Sequence, residues 1–414
     1  MEKRGIVVVG AGPAGSSAAE EIAKAGHDAL LLEKNNSPGE TSVCGGALTT
    51  NYVQLGRLPH GLVQKHVSDW LIHMPRKVYH VKNMDAISFD RASFDRFLAE
   101  VAVQRGAELR LGNIVTDIKR SERGLTVHVK DRMSNREYEV NTKLVIFADG
   151  PCTMAQEYGL GFPRGRPDIA VQAAIYELEW RENPLNCFEA FFDERIAPWG
   201  YAWVYPKRDI LNVGVGCLIS KMKRGNVTEY LNYFVEKNKL VSHHLRSLKR
   251  IRFAADIIPL PHETQIVGNN MMVVGDAAGM VDPIWGGGIG PAMRAASIAG
   301  QVAAEALENN RFDAGFLSRY ENRWERSPDY KHLRRSYLAH RLFLKYSTID
   351  KAAYSKFITV ALWVGRVRKL TLSPEELRTR GAIGVSNFSR DGTRFGLQPN
   401  HLTPQDDHLT SGRQ

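Results

Sequence analysis

A chain of 414 residues and 46.4 kDa is too large for one simple core and predicts two interlocked domains, and 43% hydrophobic with 24% charged residues excludes a disordered or fibrous protein. Lys plus Arg number 55 against 45 Asp plus Glu, a formal charge of +10, which suits anionic phosphates or an anionic membrane surface; no nucleic-acid-binding module accompanies it, so no nucleic acid partner is expected. Four scattered cysteines (Cys44, Cys152, Cys187, Cys217) form no C-x-x-C pair, so neither a disulfide scaffold nor a zinc site is expected, no metal is assigned, and a reducing cytoplasm is the expected compartment.

The amino terminus enters a strand within about five residues, leaving no room for a signal peptide's apolar core. "GIVVVGAGPAGSSAAEEIAKAGHDALLLEK" (5–34) then reads as a buried strand, a glycine turn, an alanine-rich helix and a second buried strand. This is one βαβ unit and predicts a parallel sheet. A loop with Pro38, Gly39, Gly45 and Gly46 follows. "DRASFDRFLAEVAVQRGAEL" (90–109) has a helical apolar period after an acidic start and stops at Gly106. "LTVHVK" (125–130) and "EYEVNTKLVIFADG" (137–150) predict two strands joined by a polar turn.

From about 168 to 217 only strands are predicted: "IAVQAAIYELEW", "CFEAFFDE", "GYAWVYP" and "LNVGVGCL". A helix is expected near 227–250, a buried strand and turn at "MMVVGDAAG" (271–279), and a strong helix at "GPAMRAASIAGQVAAEALEN" (290–309). The longest later apolar run, "FITVALWVG" (357–365), is about half of what a spanning helix needs and predicts a packed helix. The expected division is a discontinuous nucleotide-binding domain over 1–165 and 251–310, a substrate domain over 166–250, helices over 311–372 and a polar, mobile tail over 373–414. Basic segments "RRSYLAHRLFLKYS" (334–347) and "VGRVRKL" (364–370) mix cations with apolar residues. They predict a solvated basic face or, as the second expectation, peripheral contact with the inner face of a membrane.

Gly10, Gly12 and Gly15 have G-x-G-x-x-G spacing between a predicted strand and helix. Gly10 permits the turn, Gly12 lets backbone approach a pyrophosphate, and Gly15 allows close packing. With Ala14, they open a helix whose free N–H groups suit phosphate. Glu33 closes the second strand, where its carboxylate can accept from ribose hydroxyls, with Lys34 beside it. These residues predict a dinucleotide site without telling FAD from NAD. In "GYAWVYP", Tyr201, Trp203 and Tyr205 share one strand face, either as core or as a wall toward a cofactor or greasy substrate.

"LVIFADGPCT" (144–153) and "MMVVGDAAGMVDPIWGGGIGPAM" (271–293) resemble the aspartate-glycine and glycine-aspartate motifs of FAD-dependent hydroxylase-like flavoproteins. The resemblance implies FAD, with Asp276 on the ribityl chain, Gly288 and Ile289 by the ring and phosphates, and Asp149 supporting the nucleotide. The first motif departs at Thr153 and Gln156, and no role is carried to them. "SVCGGALT" (42–49), "DRASFD" (90–95) and "YAWVYPKRDILNVGVG" (201–216) resemble segments of the geranylgeranyl reductase family. That resemblance implies that Cys44, Gly45 and Ala47 line the flavin side of a pocket, that Arg91 and Val115 contact FAD, and that Tyr201, Trp203, Tyr205, Gly214 and Gly216 shape a prenyl site.

The implied architecture is α/β: an FAD-binding Rossmann-type domain with an inserted antiparallel β-sheet substrate domain and C-terminal helices. The implied activity is hydride transfer from reduced FAD to a C=C bond of a geranylgeranyl-type chain on a lipid, pyrophosphate or quinone. Electrons would come from NAD(P)H, a ferredoxin or a reduced quinone. Cys44 and Tyr201 are the candidate proton donors. Two alternatives stay open: a flavin-dependent monooxygenase or halogenase, whose Trp-x-Trp-x-Ile-Pro segment is close to "GYAWVYP", and a non-catalytic prenyl-binding protein like the Rab escort proteins.

Overall fold

The computed structural model describes residues 2–346, apart from 50–51, 53–57, 76, 83–84, 122–123 and 182, together with 356 and 358. The βαβ start is present as β1 (Glu2–Val9), α1 (Pro13–Lys24) and β2 (Ala29–Leu32). β1 and β2 pair in parallel from Ile6↔Ala29 to Val9↔Leu32, and their apolar residues are buried, as a strand covered on both faces requires. Gly10 turns the chain at φ +97°, and a Cβ on Gly15 would lie 1.8 Å from the Gly10 carbonyl oxygen. Helix and strand end meet this closely because both positions are glycine.

Five strands then occupy a stretch whose patterns predicted none: β3 (Ala47–Thr49), β4 (Val63–Val67), β5 (Asp69–Met74), β6 (Lys77–Val81) and β7 (Ala86–Phe89). Next, α2 (Arg91–Gln104) starts at Asp90, whose carboxylate accepts from the Ser93 amide at 2.8 Å. β8 (Glu108–Arg110), β9 (Asn113–Ser121), β10 (Gly124–Asp131) and β11 (Glu137–Phe147) follow. The expected strand series is β12 (Ala170–Glu179), β13 (Cys187–Phe191), β14 (Tyr201–Pro206) and β15 (Ile210–Leu218).

The helix expected near 227–250 is broken into α3 (Val227–Asn232), a π-helical turn over Tyr233–Lys237 and α4 (Ser242–Leu245). After β16 (Arg250–Pro259), β17 (Val267–Gly268) and β18 (Met271–Val273), the chain ends its described part in α5 (Ile289–Asn309), α6 (Ala314–Arg326) and α7 (Pro328–Tyr346). The expectations for "FITVALWVG", "VGRVRKL" and the tail fall outside the described residues, 358 apart. Among the described residues no helix is long and apolar enough to cross a membrane.

The first sheet has the order β17-β18-β11-β1-β2-β8, continued from β11 by β10 and β9. The second is the inserted sheet, ordered β16-β12-β15-β14-β13-β5-β6. It is wider than residues 166–250, because β5 and β6 join from before that segment and β16 from after it. Its pairings are antiparallel except for β13 with β5, which is parallel. The cause is burial: Trp70, Ile72 and Met74 alternate on one face of β5, and pairing with β13 buries Ile72 and Met74 beside the rings of the next strands. On the other face of this sheet Ala202, Val204, Val213 and Val215 pack against Leu231 and Phe234. The small third sheet, β3-β7-β4, borders the space between the two large ones through Ala47, Leu48, Thr49 and Ala86.

Candidate active site

A cavity of about 450 Å³ opens between the two large sheets, within the size range of small-molecule sites. One wall is the Gly12–Ala14 turn, Gly275, Asp276 and the Gly286–Ala292 segment; the opposite wall is Trp70, Phe188, Tyr201 and Tyr205, and Cys44, Gly45 and Ala47 close one side. Thus Gly12, Ala14, Cys44, Gly45, Ala47, Arg91, Asp276, Gly288, Ile289, Tyr201 and Tyr205 come together around one space. Gly10, Gly15, Glu33, Lys34, Val115, Asp149, Trp203, Gly214 and Gly216 do not line it.

The three rings of β14 do lie on one face, with centroids 5.7 Å apart for Tyr201 and Trp203 and 6.2 Å for Trp203 and Tyr205. The reading of Gly214 and Gly216 as room for a substrate needs correction. Trp203 stands opposite Gly214 and Tyr201 opposite Gly216 in the β14/β15 register. A Cβ on Gly214 would lie 2.1 Å from the Trp203 ring. The indole therefore lies across β15 and itself fills the space that glycine leaves.

From there Trp203 Nε1 donates to Asn212 Oδ1 at 2.8 Å, and Asn212 Nδ2 donates to the Cys44 carbonyl at 3.1 Å. A Cβ on Gly45 would come within 2.5 Å of the Tyr205 ring. Trp203 is thus the buried brace that holds the Cys44–Gly45 loop against the sheet, while Tyr201 and Tyr205 face the cavity.

Four further rings complete that wall. Phe188 packs on Tyr205 at 4.5 Å, Trp70 on Tyr205 at 6.3 Å, Phe192 on Tyr201 at 5.1 Å, and Trp285 on Trp70 at 5.6 Å. Tyr201 ties the wall to the opposite side by donating its hydroxyl to the Trp285 carbonyl at 2.6 Å. Its burial pushes the phenol well above its ordinary range. Sequence patterns gave no sign of Trp70 or Phe188, because parallel pairing of β5 with β13 is what brings them together.

Polar groups occupy the cofactor-side wall. Asp276 has no side-chain hydrogen bond among the described residues, and burial, only partly offset by the distant charge of Arg91, pushes its carboxyl up to about 6. Arg91 reaches Asp95 through two bonds of 2.9 and 2.8 Å; burial opposes its charge, but Asp95 and Cys44 beside it keep the guanidinium ionised. The Cys44 sulfur accepts from the Gly46 amide at 3.3 Å. Glu33 accepts from the Ala11 and Asn35 amides at 2.8 and 2.9 Å, bracing the glycine turn from behind. Asp149 accepts from the Met154 amide at 2.8 Å, while its Oδ1 is buried without a partner.

Two further contact clusters around the site carry no mark in the sequence. Asp282 accepts from the Ile284 and Trp285 amides at 2.7 and 2.9 Å and from His332 and Ser336 of α7 at 2.7 and 3.1 Å. It locks the glycine segment to α7, and its hydrogen bond holds His332 above the usual imidazole range. Tyr52 covers Gly290 and donates to Asp329, which also pairs with Arg294. No periodicity or motif marks these contacts, since each joins elements far apart in the chain.

The residues present fit FAD. The N-terminus of α1 has no side-chain cap, and the positions where Cβ atoms would stand on Gly12 and Gly287 face open space, which suits a pyrophosphate and a planar ring. Asp276, whose carboxylate lines the cavity without a hydrogen bond among the described residues, and the buried, unpartnered Oδ1 of Asp149 want donors of the kind that ribityl and ribose hydroxyls supply.

Comparison with known proteins places the same segments in context. The description "geranylgeranyl reductase catalytic domain" matches residues 167–253, and "FAD dependent oxidoreductase" matches residues 5–209. The digeranylgeranylglycerophospholipid reductase of Methanococcus vannielii is 34% identical over 357 residues, covering 84% of this chain and 87% of that protein. A second such reductase, from Methanothermobacter thermautotrophicus, is 35% identical over 336 residues, covering 78% and 84%. Among solved structures, a geranylgeranyl bacteriochlorophyll reductase-like protein from Thermoplasma acidophilum superposes with a TM-score of 0.74 at 25% identity over 92% of this chain and 100% of that one. The flavin-dependent halogenase CmlS, with a TM-score of 0.67 at 18% identity over 92% of this chain and 70% of its own, shares the fold.

Proposed function

The chain belongs to the geranylgeranyl reductase family of FAD-dependent oxidoreductases, and from that premise we propose that it reduces C=C bonds of a geranylgeranyl-type chain carried on a lipid. The observation that carries this reading is the wall of Trp70, Phe188, Tyr201 and Tyr205, which faces Asp276 and the Gly286–Ala292 segment across a single cavity. Apolar ring faces bury an isoprenoid chain, and the opposite wall offers the donors and carboxylates that a flavin needs.

Gly12 and Ala14 at the α1 terminus would hold the pyrophosphate, Asp276 the ribityl hydroxyls, and Gly287 and Gly288 the ring. When bound and reduced, FAD supplies the hydride that an unactivated alkene requires. The ring faces of Tyr201, Tyr205 and Trp70 exclude water and steady the partial positive charge that develops on the alkene carbon that takes the hydride. A proton must reach the other carbon, which bonds it with the alkene's π electron pair. Tyr201 is poorly suited to give it, because burial strengthens its hold on the proton and the hydroxyl is already committed to the Trp285 carbonyl. Cys44 lines the cavity beside Arg91, and its Sγ is the better donor. NAD(P)H, a ferredoxin or a reduced quinone would supply the reducing equivalents.

The test follows flavin colour without oxygen. Dithionite-reduced protein is mixed anaerobically with geranylgeranyl pyrophosphate or a digeranylgeranyl phospholipid. Return of the oxidised flavin absorption is expected, at a rate lowered about 100-fold by Cys44→Ala and less than about tenfold by Tyr201→Phe. Equal losses in the two variants would reverse the assignment of the donor. A flavin that stays reduced with every prenyl compound, yet reacts with oxygen and halide, would replace the reductase reading with the halogenase one.

A further inference from the structure

Helix α7 carries five Lys or Arg residues and one carboxylate, Asp329, which is buried against Tyr52 and Arg294. One face is packed into the protein, where Leu333, Ser336 and His340 are buried and Ala339, Phe343 and Leu344 pack against a buried cluster that includes Phe192, Trp199 and Ile358. The opposite face is open. Leu338, Leu342 and Tyr346 follow one another at four-residue spacing and are 57%, 53% and 54% exposed. At about 100° per residue these three make a single stripe. Lys331, Arg334, Arg335 and Arg341 flank it, all exposed and none in an ion pair among the described residues.

We propose that this face of α7 docks on an anionic lipid bilayer, with Leu338 and Leu342 entering the head-group boundary and the flanking cations meeting lipid phosphates. Exposed leucines between cations on a helix that is otherwise anchored are the pattern of an interfacial helix. A second copy of the chain is a poor occupant, because a two-fold contact through this stripe would press like charges together. Position supplies a further argument. His332 and Leu333 of the same helix line the cavity, and six residues of helix separate His332 from Leu338, about 9 Å along the axis. The cavity would then open beside the bilayer, and a prenyl chain would pass into it without crossing water. That purpose rests on the reading of the substrate as a prenyl lipid; the docking does not.

The experiment is co-sedimentation of the full-length, FAD-loaded protein with vesicles of phosphatidylcholine containing phosphatidylglycerol, and with vesicles of phosphatidylcholine alone. Partition at least tenfold stronger to the anionic vesicles is expected at low salt, weakening as salt rises. Leu338→Glu with Leu342→Glu is expected to reduce it at least tenfold with the visible flavin dichroism unchanged. Arg335→Gln with Arg341→Gln should flatten the salt dependence, and this pair serves if the glutamates prevent folding. Wild-type protein that stays in the supernatant overturns the proposal, as does a Leu338→Glu, Leu342→Glu variant that sediments normally. A dimer dissolved by the same variant, with no vesicle binding, would also overturn it by giving the face to a second copy. If vesicles bind but no prenyl compound is reduced, the functional reading fails and the docking stands.

Discussion

Trp203→Ala is expected to cost about 3–5 kcal/mol of stability and most of the prenyl turnover, while FAD is retained. The stability loss follows from the indole's place: it fills the gap above Gly214 and leaves a hole when removed. The turnover loss follows from the chain of bonds through Asn212 to the Cys44 carbonyl, which slackens without its first donor. FAD is retained because Gly12 and Asp276 stand on the other wall. A double-mutant cycle isolates the contact. Gly214→Ala should destabilise the wild type, since its Cβ would sit 2.1 Å from the ring, and be close to neutral in the Trp203→Ala background. Equal costs in both backgrounds would show that the indole does not occupy the glycine's space.

The second large effect concerns Asp276. Removing its carboxylate with Asp276→Asn is expected to weaken FAD binding at least tenfold, because hydrogen bonds from ribityl hydroxyls to a charged acceptor are each worth about 1.5–3 kcal/mol. The protein free of FAD should respond in the opposite sense. Its buried carboxyl is pushed up from the usual 3.8 to about 6, so the folded state holds this proton more tightly than the unfolded state does. The associated stability is fully present below about pH 4 and is lost as pH rises through about 6. Asp276→Asn should therefore stabilise the FAD-free protein at pH 8, by up to about 3 kcal/mol, and by nearly nothing at pH 4. Denaturant midpoints at the two pH values check this. A variant that binds FAD normally would remove Asp276 from the cofactor site.

Much of this site is legible in the sequence because its parts are local. The glycine turn with Glu33, the two aspartate segments and the alternation of Tyr201, Trp203 and Tyr205 each lie within about thirty residues of chain, where periodicity and spacing carry the signal. Strand alternation places the three rings on one face correctly. It cannot tell which ring reaches the cavity, because that depends on packing across the strands: the Trp203 indole lies over Gly214 and extends toward Gly216, and Tyr201 and Tyr205 are the rings left lining the cavity.

The five strands between Ala47 and Phe89 escape the patterns because they are short and carry Lys65, His66, His73 and His80 among their apolar residues. Two of those histidines are buried only because distant or neighbouring strands supply carboxylates, Glu189 for His73 and Asp69 for His80. Such pairing is a property of the folded sheet, as are the tie from Asp282 to His332 and the cover of Tyr52 over Gly290.

The central claim is that a prenyl alkene and a reduced flavin meet in the cavity between Asp276 and the ring wall. Mass spectrometry of the product formed by anaerobically reduced protein in deuterated water tests it most directly. Each reduced double bond of a geranylgeranyl lipid should add two hydrogens to the product, at least one of them deuterium drawn from solvent, with no requirement for oxygen. A lipid recovered unchanged, or a product that carries oxygen or halogen and forms only in air, would contradict the account.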